Sequence, residues 1–354
     1  MRMIKSKSQE NESMREPGFD FVKAVACVAV VLIHYNFKGE FGAEVKAACR
    51  FAVPTFLMIS GYFLHPYGGG DVRTDKIMRQ ILKLTKLLLL STFAYGLLFW
   101  FITPNAVYFG KYLSAAALAK FAVTNDGLFN SALWFLGGLV YCYFLVAMCC
   151  RSERALQRFL YLAIPALMMM CVTQEFARIV GFRWNYLQLS GAEPKAVICL
   201  SALFMFRALP FFLIGSYLRR KTVEIKRLSV SGWSLLAIAV MGSALAVAEY
   251  HLLGNRIAQF YLGSYVTATA LLLWAVRKDR CASRGAQILS WVGMELSMLV
   301  YLTHVGVGKL VDVSAGTFHW CGKPLYDCLR WLLVLAGSFL VSFLLNRLMR
   351  MARR

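Results

Sequence analysis

The stretch GFDFVKAVACVAVVLIHYNF, residues 18–37, decides the fold class of this chain. Nearly all of it is apolar, and its length matches the roughly 20 residues that an α-helix needs to cross a hydrocarbon layer about 30 Å thick. Lys23 lies inside the apolar run and no clear small-residue cleavage site follows, so the stretch is not a cleavable signal peptide. We therefore predict that it forms the first of many transmembrane helices.

The composition of the whole chain is that of an integral membrane protein. Of its 354 residues, 59% are hydrophobic and 16% are charged, whereas a soluble domain carries about 25% charged residues. The mean hydropathy is +0.58. The net charge of +21 is spread over short basic clusters between the apolar runs. Such clusters orient a membrane protein by the positive-inside rule, and we do not expect this chain to bind nucleic acid.

We predict an all-α fold, a polytopic membrane helix bundle of about ten transmembrane helices. The predicted spans are 19–37, 47–64, 82–102, 131–150, 159–176, 196–218, 231–250, 258–276, 287–310 and 326–346. The connectors assigned to the inside hold 25 Lys and Arg residues, and those assigned to the outside hold 10. This asymmetry predicts that both termini lie in the cytoplasm.

The chain divides into one membrane domain and two short tails. We predict a disordered cytoplasmic tail at 1–17, a membrane domain at 18–348 and a basic cytoplasmic tail at 349–354. The segment 103–130 is moderately apolar but holds two lysines on the outer side. An interfacial or re-entrant helix suits it better than a further crossing.

Ionisable side chains inside the first span are the first candidates for function, because such groups are costly at membrane depth. Asp20 and Lys23 lie near its cytoplasmic end, and His34 follows Lys23 by eleven residues. That spacing returns to nearly the same helix face roughly 16 Å further along the axis. The alternative is structural: Asp20 and Lys23 reach the interface, and His34 hydrogen-bonds to a neighbouring helix.

A second histidine lies at similar depth in the ninth predicted span. His304 is in its outer half, and Glu295 is nearer the cytoplasm. Because His34 and His304 lie at matched depth on different helices, we predict that the two side chains share a cavity. The structural alternative for Glu295 is an ion pair with Arg207 or Lys23 that holds helices together.

The sixth and second predicted spans each combine a proline with a polar residue. Arg207 precedes Pro210, which can kink the helix, and an arginine beside a kink in the cytoplasmic half suits a phosphate or carboxylate ligand. Pro54, Ser60 and Gly61 lie in the second span, where small residues most often allow close helix packing.

Together these segments resemble acyltransferase family 3, the bacterial membrane O-acyltransferases of cell-surface glycans. Five short elements carry the resemblance, in the family's order and over nearly the whole chain. They are Asp20, Lys23 and His34; Pro54, Phe56, Ser60, Gly61 and Tyr62; Leu133–Leu136; Arg207, Pro210, Phe211, Phe212 and Gly215; and Ser297, Tyr301, Leu302 and His304.

Two departures from the family pattern matter. Lys23 stands where the family has an arginine, so the charge is kept but planar bidentate binding of a phosphate or carboxylate is lost. An extracytoplasmic catalytic domain, present in some members, is not found here. We therefore expect transfer directly to an acceptor at the membrane.

The resemblance implies an O-acyltransferase in the bacterial cytoplasmic (inner) membrane. It implies cytosolic acyl-CoA, by family habit acetyl-CoA, as the donor substrate. The acceptor is then a hydroxyl of a glycan or lipid-linked sugar, and the surrounding lipids are the other partners. We expect no tightly bound cofactor and no metal site.

On this hypothesis His34 is the general base, because its unperturbed pKa near 6.5 suits that task. A covalent acyl-histidine is the less favoured version. His304 would orient the acceptor or stabilise the oxyanion. Lys23 and Arg207 would neutralise the donor's phosphates or hold its pantetheine end, and Asp20 would orient Lys23. The candidate residues for binding donor or substrate are Asp20, Lys23, Arg207, Ser60, Glu295, Tyr301 and Trp134.

The alternative function is a proton-coupled transporter of small molecules. Intramembrane histidine, glutamate and arginine side chains also form proton relays. Transporters often contain internal repeats, and this sequence shows none. The sequence therefore favours the acyltransferase.

Overall fold

The structure, a computed structural model, describes 16–64, 74–102, 110, 112–124, 127–149, 158, 161–171, 186–188, 197–199, 204–255, 258–278 and 283–352. The helices are α1 Pro17–His34, α2 Gly39–Ala48, α3 Ala52–Tyr62, α4 Thr74–Ile102, α5 Ala115–Thr124, α6 Trp134–Cys149, α7 Ala163–Cys171, α8 Phe204–Arg207, α9 Leu209–Arg220, α10 Thr222–Arg227, α11 Gly232–Leu252, α12 Leu262–Arg277, α13 Arg284–Glu295, α14 Ser297–Thr317 and α15 Pro324–Met351. Short 3₁₀ turns, Cys49–Phe51 and Ser131–Leu133, lead into α3 and α6. Strands β1 Tyr186–Gln188 and β2 Val197–Cys199 pair antiparallel.

Six helices among the described residues are long and apolar enough to cross a membrane. They are Pro17–His34, Thr74–Ile102, Ser131–Met148, Gly232–Leu252, Ser297–Thr317 and Pro324–Met351. Large apolar side chains such as Leu90, Phe93 and Leu340 are exposed on them, as expected where lipid replaces water. The chain is a helical membrane protein; the count of about ten spans and the orientation stay predictions.

The other four predicted spans correspond to shorter helices. The predicted span 47–64 contains α3, 258–276 contains α12 and 159–176 contains α7, each shorter than a full crossing. Residues 159–160 and 172–176 of that span lie outside the described residues, as do 65–73, 103–109, 150–157, 177–185 and 279–282. Within 103–130 the structure describes the ten-residue helix α5.

Helix α1 is the centre of the bundle. It contacts α2, α3, α12, α13, α14 and α15. Of its apolar window 61% is buried, against 17% for α15. A helix that is apolar on every side and enclosed by neighbours can carry charged groups only where a cavity or partner receives them.

Glycine allows close backbone approach at several helix crossings, among them those of α3 with α9 and of α1 with α13. A Cβ at Gly61 of α3 would meet the main-chain carbonyl of Phe212 in α9, and a Cβ at Gly215 would meet that of Met58. Likewise a Cβ at Gly293 of α13 would meet the carbonyl of Asp20 in α1. Such backbone-to-backbone approach is how small residues bring membrane helices together.

The ninth predicted span is not a single helix. The span 287–310 is broken at Leu296, between α13 and α14. The hydroxyl of Ser297 donates to the Gly293 carbonyl at 2.6 Å, a local bond that bends helices. The prediction of an uninterrupted ninth helix is wrong.

The start of the sixth predicted span is also corrected. The span was placed at 196–218, but residues 197–199 form β2 and the described helix begins at Phe204. A break follows at Ala208, after which Pro210 occupies the first turn of α9. Proline is accommodated there because its missing N–H would have no helical partner.

Candidate functional site

The first helix carries Asp20 and Lys23 near one end of a face and His34 at the other end, as its spacing predicted. The Lys23 ammonium lies 3.0 Å from a carboxylate oxygen of Asp20, so the buried acid is neutralised within its own helix. His34 is the last residue of α1. Each end of this face opens into a different cavity.

The lysine cavity, lined by Lys23 and Lys83, has a volume of about 290 Å³. Ser60, Gln80 and Tyr301 also line it. The Ser60 hydroxyl donates to the Phe56 carbonyl at 2.9 Å, so its donor is already used within α3. The cavity combines two ammonium groups, an amide and hydroxyl groups with apolar side chains such as Phe56 and Leu139, which suits an anionic ligand that has an apolar extension.

The histidine cavity, lined by His34 and Arg207, has a volume of about 310 Å³. Arg50, Trp134 and Gln259 also line it. The guanidinium of Arg207 lies over the Trp134 ring, 4.0 Å from its centroid. This cation–π contact fixes the orientation of a long side chain that lines the cavity.

Arg207 was predicted to bind the same donor as Lys23, and this stays a prediction, but the structure places the two side chains at different cavities. Arg207 lines the histidine cavity, at the other end of α1 from Lys23. The reason is that the helix is broken at Ala208, so α8 carries Arg207 towards Trp134 at the start of α6. Sequence spacing could not show the direction of α8.

The histidine pair, His34 and His304, lies at the inner edge of the histidine cavity. The two ring centroids are 5.1 Å apart. His34 is exposed to the cavity, whereas His304 is fully buried. The expectation that the two histidines lie at the same depth agrees with this contact; their catalytic roles stay predictions.

The hydrogen bonds of His304 identify its tautomer. Its Nδ1 lies 2.7 Å from the carbonyl oxygen of Tyr301 and 3.2 Å from that of Val300. Carbonyl oxygens only accept, so Nδ1 carries the proton and Nε2 of the neutral ring is an acceptor. The predicted role in stabilising an oxyanion needs an N–H at Nε2. The structure therefore does not support that role for neutral His304.

Tyr301 stands between the two cavities. Its ring lines the lysine cavity and packs against Phe135 and His304, with centroid distances of 5.2 and 6.1 Å. Its hydroxyl donates to the main-chain carbonyl of Ala132, a residue that lines the histidine cavity. This side chain forms part of a thin wall between the two spaces.

Glu295 is not part of either cavity among the described lining residues. Its carboxylate pairs with Arg350 at 2.5 Å and accepts from Asn346 at 3.3 Å. The predicted alternative of a pair with Arg207 or Lys23 is therefore wrong. The break at Leu296 ends α13 at Glu295, where α15 supplies the partner.

Tyr35 is a residue that the sequence analysis missed. Its hydroxyl donates to the Val305 carbonyl at 3.1 Å, so the residue after His34 is bonded to the residue after His304. Its ring occupies the space beside Gly308 that a Cβ would fill. An aromatic residue at the end of a span is common at membrane interfaces, which is why the sequence did not distinguish it.

Arg50 and Lys83 were also missed as lining residues. Each lies at the start of an apolar run and belongs to the basic residues whose distribution predicts the orientation. Their position at the edge of a span was the available signal, since it lets a long cationic side chain reach inward.

A comparison with protein families finds one match. The family model described as an acyltransferase domain matches residues 16–347, nearly the whole chain. No curated protein and no solved structure matches the chain.

Proposed function

The chain belongs to the acyltransferase family whose model spans it, and on that premise we propose that it moves an acyl group from cytosolic acyl-CoA to a hydroxyl of a cell-surface glycan or lipid-linked sugar. Membrane acyltransferase activity follows from the family together with the apolar helices. The donor, the acceptor and the catalytic residues are our proposal. We place the protein in the cytoplasmic membrane of a bacterium and take acetyl as the acyl group.

The lysine cavity is our proposed donor entrance. In the predicted orientation it faces the cytoplasm, where acyl-CoA is made. Lys23 and Lys83 can neutralise phosphate groups as compact point charges. The apolar part of the same cavity leads to Tyr301 and suits the thin pantetheine arm, which carries the thioester at its end.

The histidine cavity is our proposed reaction site. His34 takes the proton from the acceptor hydroxyl as the oxygen attacks the thioester carbon. A carbon–oxygen bond forms, the carbon–sulfur bond breaks, and the proton on His34 passes to the sulfur of the departing CoA. Arg207, held by Trp134, supplies N–H groups that suit the developing oxyanion.

Transfer requires the acyl group to pass from one cavity to the other. Tyr301 and Ala132 form the boundary, so the thioester must displace or pass this contact. The observation that carries the proposal is the contact of His34 with His304 at a cavity lined by Arg207. The family match does not favour the transporter alternative.

The proposal is tested by mass spectrometry of surface glycans from cells with the wild-type protein, with His34→Ala, or without the protein. We expect the acyl group only in cells with the wild-type protein, while His34→Ala accumulates in the membrane normally. His319→Asn is the matched control, because His319 is an exposed histidine with a positive φ that asparagine tolerates. Equal acylation in the His34→Ala cells would reject the assignment.

A second measurement separates enzyme from carrier. Purified protein and radiolabelled acetyl-CoA should give a labelled acceptor in membrane extracts. Uptake of a solute into proteoliposomes driven by a pH gradient, with no incorporation of label, would instead support the transporter.

A further inference from the structure

The buried ring of His304 has one nitrogen whose bonding is complete and one whose bonding is not. Nδ1 donates to the carbonyls of Tyr301 and Val300. Nε2 is buried and has no hydrogen-bond partner among the described residues. A buried acceptor without a donor is costly, and such groups are rare in native proteins.

His34 can supply the missing donor. With ring centroids 5.1 Å apart, facing nitrogens of the two imidazoles come within about 3 Å, which is hydrogen-bond distance. Between these two described side chains no direct hydrogen bond is formed in the present state. Forming one requires a nitrogen of the His34 ring and Nε2 of His304 to face each other.

We propose that His304 is a positioning residue, whose Nε2 accepts the N–H of His34 and so holds the other His34 nitrogen, with its lone pair, towards the histidine cavity. A neutral imidazole has one N–H and one lone pair, so a bond at one nitrogen determines the state of the other. The inference rests on the proposed function, in which His34 is the base. His304 itself is fully buried and acts only through His34.

The pair operates within a positive environment. Arg50 and Arg207 line the same cavity as His34. When His34 has taken the acceptor's proton, both its nitrogens carry hydrogen. One of them stays bonded to His304 Nε2, and the other points to the leaving sulfur, which takes the proton.

Two substitutions separate the two nitrogens of His304. The terminal group of glutamine reaches the place of Nε2, and that of asparagine reaches the place of Nδ1. His304→Gln therefore keeps an acceptor for His34, whereas His304→Asn keeps the bond to the Tyr301 carbonyl and loses the acceptor. The variants are matched in polarity and differ in the contact under test.

The first test is solid-state NMR of the full chain in lipid, with histidine labelled with ¹⁵N and the His34 signals identified by their loss in His34→Asn. We expect one neutral tautomer of His34 in the wild type and in His304→Gln, and a mixture of both tautomers in His304→Asn. A single unchanged tautomer in His304→Asn overturns the proposal. Both tautomers in the wild type overturn it as well, even if a variant fails to fold.

The second test is the initial rate of glycan acylation. We expect His304→Asn to lose on the order of a hundredfold, and His304→Gln to stay within about tenfold of the wild type, because a base in the wrong tautomer cannot accept the proton. The apparent KM for acetyl-CoA should not change in either variant. Equal losses in both overturn the inference. If the wild type acylates nothing, the proposed function fails while the NMR result still decides the state of the histidine pair.

Discussion

Tyr301 donates a hydrogen bond to the main-chain carbonyl of Ala132, and this bond closes the wall between the lysine cavity and the histidine cavity. One partner lies on α14 and the other in the turn that leads into α6. The wall separates the proposed entrance of the donor from the proposed base.

The first prediction concerns this wall. Tyr301→Phe keeps the ring packing but removes a hydrogen bond that contributes about 1 kcal/mol. The equilibrium constant between the closed and the open wall should therefore shift about fivefold towards the open form. Water then reaches the thioester more often. We expect release of CoA thiol from acetyl-CoA, with no acceptor added, to rise by about that factor.

Tyr95→Phe is the control for the wall. Tyr95 donates to the Leu302 carbonyl at 2.7 Å and is not among the described residues that line either cavity. Its hydroxyl also accepts from the Gly306 N–H at 3.1 Å, so Tyr95→Phe loses two bonds to α14. This loss is at least as large as that in Tyr301→Phe, and it should leave thiol release unchanged. An equal rise in both variants would show that the effect is a general loosening of α14.

The second prediction concerns donor binding. Lys23→Gln removes a cationic group at the lysine cavity, so the apparent KM for acetyl-CoA should rise about tenfold, a loss of about 1.4 kcal/mol of binding. For S-acetyl-pantetheine, which lacks the nucleotide phosphates, the KM should not change. Lys221→Gln is the control, because Lys221 pairs with Glu224 away from this cavity. A KM that rises equally for both donors contradicts phosphate recognition by Lys23.

The third prediction concerns the register of the two histidine helices. Tyr35→Phe removes the bond to the Val305 carbonyl, worth about 1 kcal/mol, beside both histidines. The rate of glycan acylation should fall about fivefold with no change in the KM for donor. Tyr250→Phe, a change at a buried tyrosine of α11, should be neutral. Acylation at the wild-type rate in Tyr35→Phe would remove Tyr35 from the positioning of the site.

The fourth prediction concerns stability. Gly61→Ala and Gly215→Ala each place a Cβ against a main-chain carbonyl of the neighbouring helix. Because a main-chain carbonyl cannot move aside as a side chain can, each substitution should cost about 1–3 kcal/mol of folding free energy. In Gly316→Ala nothing lies within 4 Å of the new Cβ, and the helix should gain roughly 0.5–1 kcal/mol. The measurement is the fraction of protein that stays monodisperse in detergent after heating. Equal loss in all three variants would contradict the packing argument.

Several features of the site follow from the sequence of one helix. Within α1 the geometry of successive residues is nearly constant, so the eleven-residue spacing of Lys23 and His34 was enough to place them on one face. The contact of Asp20 with Lys23 follows from the same regularity, since residues three apart are neighbours. The residues of the family elements, from Pro54 to His304, supported the family, and the family match agrees.

Other features could not be predicted in this way because they lie between helices. The partner of Glu295 is on α15, and the direction of Arg207 depends on a break at Ala208. None of these contacts has a fixed sequence spacing.

The sequence by itself determined that this is a helical membrane protein, which ionisable residues enter the membrane and which of them share a face of α1. The length of an apolar run, the distribution of Lys and Arg between connectors and the repeat of an α-helix are local properties of the sequence. They do not depend on how neighbouring helices pack. Only the tertiary structure decided that Lys23 and His34 line separate cavities and that Tyr301 lies between these cavities. The physical reason is that the rotation and depth of one helix against another are set by the packing of small residues such as Gly293 and Gly61 at the crossings, and sequence distance does not encode that packing.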